Sequence, residues 1–166
     1  TPITTTFHRL FVSSPSATPT HVQAMTMLDA LSNLLAALLI GLSLGPTAGI
    51  LAALTISSGE PWGYQWVGGS IGRANFVLWL GVGIALAARR KEAWSAAALT
   101  MAALFRLFPA VFVGAVGLRA LMAVVQKRRL EPTERNVVLA AFGTLAVGVL
   151  VAGATVGFDA FGDWYL

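Results

Sequence analysis

The stretch GRANFVLWLGVGIALAARRKEAWSAAALTMAALFRLFP, residues 72–109, decides how this chain folds. From Phe76 to Ala88 it carries no charge, and the basic turn Arg89, Arg90, Lys91 ends the run. A second apolar piece, Ala93 to Phe105, then stops at Arg106-Leu107-Phe108-Pro109. A helix rises 1.5 Å per residue, so about twenty apolar residues cross the roughly 30 Å hydrocarbon core of a bilayer. Pro109 lacks a backbone donor and disfavours helical geometry at Phe108, so the chain breaks there. The predicted fold is all-α: a polytopic transmembrane helical bundle with short broken helices.

The rest of the composition agrees. The 166 residues are 57% hydrophobic and 11% charged, against about 25% charged in an ordinary soluble domain. Between Leu10 and Gly59 the one formally charged residue is Asp29. Too little polar surface is present to coat a globule in water, so an integral membrane protein is expected. The absence of cysteine excludes disulfides, thiolate nucleophiles and cysteine-bound metals. Two histidines, His8 and His21, do not make a histidine-rich metal site, and no metal or other cofactor is expected. A net charge of +4 gathered at Arg89–Lys91 and Lys127–Arg129 is no nucleic-acid footprint, and no nucleic-acid partner is expected. No phosphate-cradling glycine loop follows a strand. The chain opens without methionine and without a signal-peptide pattern, so a piece of a longer polypeptide is expected.

Basic clusters directly after apolar runs mark cytoplasmic turns. Residues 1–20, rich in Thr, Ser and Pro, then form an extracytoplasmic polar segment, with Phe7–Val12 as a short interfacial piece. Residues 21–166 form the bundle. His21–Leu44 spans and is ended by Gly45-Pro46; Thr47–Ile56 is apolar but short. Gly72–Ala88 is the next span, and Ala93–Phe105 with Ala110–Val125 forms a hairpin whose tip lies near Arg106. Asn136–Val156 runs outward and delivers GFDAFGDWYL. On this scheme the polar N-terminal segment, the 57–71 loop, Arg106 and the C-terminal stretch share the extracytoplasmic side.

Several residues there suit chemistry, each with a plainer alternative. An arginine at membrane depth costs on the order of 2.5–3.5 kcal/mol and usually has a partner. Arg106 therefore suits a lipid phosphate, which its planar fork binds by parallel hydrogen bonds; otherwise it snorkels or pairs with Asp29 or Glu60. Glu60 and Asp29 are candidate general bases for an acceptor hydroxyl. Their alternatives are a solvated loop charge for Glu60 and a structural partner of an arginine or helix hydroxyl for Asp29. Arg73 heads its helix either as a second phosphate ligand or as an interfacial anchor. Trp62, Tyr64 and Trp66 fit stacking on sugar faces, or equally an aromatic belt. Arg119, Lys127, Arg128 and Arg129 read as cytoplasmic anchors, and the glycines of GVGIA and GAVG as sites of close helix packing.

Three phrases resemble a known family: Gly72-Arg73-Ala74-Asn75 with the basic turn after it, Arg106-Leu107-Phe108-Pro109, and the closing GFDAFGDWYL. They are similar to motifs of the multi-spanning GT-C glycosyltransferases, especially the bacterial polyprenyl-phosphate-mannose-dependent α-mannosyltransferases. In those, a helix opens with Gly-Gln-x-Asn, and a later one leads into Lys-x-x-Pro. The likeness covers about residues 59–166. Arg73 stands where glutamine is usual and Arg106 where lysine is usual. The resemblance implies a sugar, mannose in that branch, moved from a polyprenyl-phosphate donor to an acceptor at the extracytoplasmic face of a bacterial cytoplasmic membrane. It also implies a sugar- or acceptor-binding role for Asn75. The family's catalytic aspartate lies in the first extracytoplasmic loop, and residues 1–21 contain no acid. That residue is expected to lie outside this chain, which is then a partial domain.

Two other functions fit the same composition. A non-catalytic membrane subunit of a larger complex predicts that Arg106 meets a protein partner or faces lipid headgroups. A transporter module would use the broken helix at Arg106–Pro109, although no internal repeat accompanies it.

Overall fold

The computed structural model describes residues 5–6, 19–58, 75–105, 110–127 and 129–159. Among them are six helices and no strand: α1 Pro19–Leu44, α2 Pro46–Ser58, α3 Asn75–Ala88, α4 Glu92–Phe105, α5 Ala110–Lys127 and α6 Pro132–Val156. Each sits where the apolar runs predict it, and the chain is all-α over the described residues. Two helices, α1 through Met27–Leu44 and α6, are long and apolar enough to cross a membrane. The other four are apolar but shorter; α3 and α4, of 14 residues each, are about 21 Å long.

Local chemistry sets the boundaries. Gly45, at φ 103°, takes the left-handed geometry that ends α1, and its N–H donates to the Gly41 carbonyl at 2.9 Å. Pro46 opens α2, where a missing N–H costs nothing. α6 starts one turn before its apolar run because Glu131 and Glu134 cap each other's backbone N–H groups and Pro132 occupies the first turn. The basic turn after α3 closes in the same way as a glycine cap, with Arg90 at φ 56°. Lys91 N–H donates to the Leu86 carbonyl and Arg90 N–H to that of Ala87, both at 2.9 Å.

The helices pack through small residues. A Cβ on Gly49 would lie 2.8 Å from the Gly41 Cα, which draws α1 and α2 into a tight hairpin. Gly81 of α3 meets Ala36 of α1, and Gly83 meets Leu99 of α4. Gly148 of α6 receives Leu104 of α4. The buried Ser95 hydroxyl donates to the Gly83 carbonyl at 2.8 Å, tying α4 to α3. α4 is thus central, packed on α3, α5 and α6. Residues 92–99 of α4 and 116–120 of α5 line one cavity, so the two lie side by side and the chain reverses between Phe105 and Ala110. This is the hairpin expected from Pro109; the break itself, residues 106–109, lies outside the described residues.

Among the described residues, many large apolar side chains are exposed. Met27, Leu34 and Leu42 on α1, Leu51 and Leu54 on α2, and Leu139, Val147 and Leu150 on α6 are all exposed. A domain in water buries such side chains, whereas hydrocarbon imposes no penalty on them.

Candidate functional site

The site begins with which helix ends meet. Ala36, Phe76, Val77, Phe105 and Ala152 form one buried cluster, with Ile56, Trp79, Met101 and Leu104 packed against it. Ile56 lies at the end of α2, Phe76 at the start of α3, Phe105 at the end of α4 and Ala152 in the last turns of α6. The helices that lead into positions 59, 74 and 106 therefore end around one apolar plug. Thr6 is buried at the same end, where its hydroxyl shares a 2.8 Å hydrogen bond with that of Thr155.

From this end an apolar groove of about 830 Å³ runs between α4 and α6. On α6 its lining follows one helical face, from Asn136 through Ala140 and Thr144 to Val151. Those 15 steps of sequence span about 22 Å, most of the depth of a bilayer core. Trp94 stands at one end, Phe105 and Thr6 at the other, and small side chains such as Ala97 and Gly143 line the stretch between. The parallel rise of α4 and α6 makes this shape. Alanine and glycine on facing stripes leave space where larger side chains would interdigitate.

Of the residues singled out from sequence, Glu60, Trp62, Tyr64, Trp66, Arg73 and Arg106 lie outside the described residues. Asn75 is the first residue of α3. Asp29 is half-buried on α1 and is engaged in an interaction. It sits two turns before Ala36 on the same helical face, the face that meets α3. Buried Ser32 and half-buried Asn33 lie between them. The Asn33 Oδ1 is buried and has no hydrogen-bond partner among the described residues. The polar stripe of α1 thus lines its packed face rather than its exposed one.

Sequence reasoning missed a second concavity. A cavity of about 270 Å³ lies between α4, α5 and α6, near the end of the bundle that carries the basic turns. Glu92, Arg119 and Glu134 all line it. Arg119, read from sequence as a simple anchor, shares this space with two carboxylates. No spacing rule joins residues 92, 119 and 134, because each comes from a different helix and only the packing brings them together. Among the described residues no group of three or more His, Asp or Glu is placed to hold a metal ion.

Compared with protein-family models, with curated proteins and with solved structures, the chain matches none.

Proposed function

We propose that this chain is the lipid-donor half of a polytopic membrane glycosyltransferase, moving a sugar such as mannose from a polyprenyl phosphate to an acceptor at the extracytoplasmic face. One observation carries the reading: the apolar groove between α4 and α6 ends at Phe105, and the next residue in the chain is Arg106. A long hydrocarbon tail laid in that groove would bring its phosphate to the end where α4 stops, one residue in sequence before Arg106, the one cation in the 92–118 stretch. The exposed apolar shell and the two helices of spanning length support the membrane placement.

In this mechanism Arg106 holds the leaving phosphate and offsets the charge that develops as the bond to the sugar breaks. Arg73 supplies a second cation. Asp29, or Glu60 from the aromatic loop, accepts the proton of the attacking hydroxyl. Trp62, Tyr64, Trp66 and Asn75 shape the sugar site.

The test is sugar transfer by the full gene product in vesicles loaded with a polyprenyl-phosphate hexose. Arg106→Lys keeps charge but loses the fork, and should slow transfer. Arg106→Gln loses a charged hydrogen bond worth roughly 1.5–3 kcal/mol, about ten- to a hundredfold in rate. Full turnover by correctly inserted Arg106→Gln would sink the phosphate role.

A further inference from the structure

We infer that the cavity between α4, α5 and α6 binds a phosphoethanolamine group, the headgroup of a phospholipid with a free amine. The inference rests on the membrane placement proposed above and not on the sugar transfer. The cavity holds three formal charges on three walls: Glu92 on α4, Arg119 on α5 and Glu134 on α6. Among the described residues no ion pair joins them. Glu134 spends one carboxylate oxygen on the Glu131 N–H at 3.1 Å and keeps the other. The remaining lining is largely apolar, with Leu99, Val116 and Val138 forming the walls.

That mixture selects its ligand. A simple anion at the guanidinium would face two carboxylates. A simple cation would face Arg119, which like Glu92 is exposed at the cavity mouth, with the exposed basic residues Arg89, Arg90, Lys91, Arg129 and Arg135 on neighbouring turns. A group with both signs satisfies both: its phosphodiester takes the planar fork of Arg119, and its ammonium donates to Glu92 and Glu134. A primary ammonium has three N–H donors for those carboxylates, whereas a trimethylated amine has none. About 270 Å³ falls just below the range of drug-sized ligand sites and suits a headgroup. Glu92 and Glu134 sit in the first turns of their helices, beside the basic turns, at the level where headgroups of the cytoplasmic leaflet lie.

The experiment uses the full chain, delipidated in detergent and titrated with short-chain phosphatidylethanolamine, phosphatidylcholine or phosphatidylglycerol, with bound lipid counted by native mass spectrometry. Free phosphoethanolamine forms a fourth arm. Phosphatidylethanolamine should bind about tenfold tighter than the other two lipids. Glu92→Gln and Arg119→Gln should each remove that preference, and Arg135→Gln, outside the cavity, should leave it. Competition by free phosphoethanolamine at equal concentration would assign the site to a soluble amine phosphate; none would assign it to the lipid. Equal binding of the three lipids, or a preference that survives both cavity variants, overturns the site. Release of the chain from vesicles by alkaline wash would overturn the membrane placement as well. A chain that stays embedded yet shows no preference defeats the site alone.

Discussion

Gly81 and Ala36 touch backbone to backbone: a Cβ built on Gly81 would lie 2.8 Å from the Ala36 Cα. Here α1 meets α3, and Ala36 has no exposed surface at all. Gly81→Ala must push the helices apart, at an overpacking cost of about 1–3 kcal/mol. Better helix propensity returns up to about 1 kcal/mol of that. Gly114→Ala is the internal control. Its Cβ would meet nothing within 4 Å, so only the propensity gain remains. Unfolding in mixed micelles should rank Gly114→Ala above the parent chain and Gly81→Ala below it. The reverse order would mean that α1 and α3 do not pack through this pair.

Two buried hydroxyls separate an interhelical bond from a local one. Ser95 donates to the Gly83 carbonyl on a neighbouring helix, and Thr100 donates to the Ala96 carbonyl of its own. Ser95→Ala should cost about 0.5–1.5 kcal/mol. Thr100→Val keeps the shape, breaks no tie between elements, and should cost less than half as much. Equal losses would show that Ser95 does not join α3 to α4.

Arg90 holds a backbone geometry that side chains with a Cβ avoid, at φ 56°. Arg90→Gly should relieve that strain and raise stability by about 0.5–1 kcal/mol, after the greater freedom of glycine in the unfolded chain is allowed for. Arg89 and Lys91 keep the turn basic, so orientation in the membrane should not change. A drop in thermal midpoint would show that the Arg90 side chain matters more than its backbone.

The topology gives a direct assay. Cysteines placed at Ser58, at the end of α2, and at Glu92, at the start of α4, should be labelled by a membrane-impermeant reagent from opposite sides of sealed vesicles. Labelling from one side would remove the extracytoplasmic site and the cytoplasmic headgroup cavity together.

The helices were legible because apolar runs end in strong punctuation. Gly45-Pro46, Arg89–Lys91 and Pro109 each mark a boundary whose chemistry is local. Exposed and core-facing positions were not legible. Leu34 is exposed and Ala36 is buried, and in a uniformly apolar helix no polarity contrast separates them. Size does: tight contacts between helices fall on Gly41, Gly49, Gly81, Gly83 and Gly148, visible in the sequence as small residues within the apolar runs. The candidate site was legible only in part. Asp29 does sit on the packed face of α1, but Glu60, Arg73 and Arg106 fall outside the described residues. The grouping of Glu92, Arg119 and Glu134 depends on three helices docking, which no local pattern encodes.

The hydrogen bond between Thr6 and Thr155 also sets a clock. Its partners are 149 residues apart, and Thr6 is buried by that contact region. A ribosome adds roughly 5–20 residues per second, so Thr6 waits on the order of 7–30 s for its partner to be made. Until α6 is made, the groove between α4 and α6 lacks one of its walls. The Thr6–Thr155 contact therefore forms only after α6 is made, and a bulky group fused close before Thr6 should slow maturation while leaving the insertion of α1 to α5 intact.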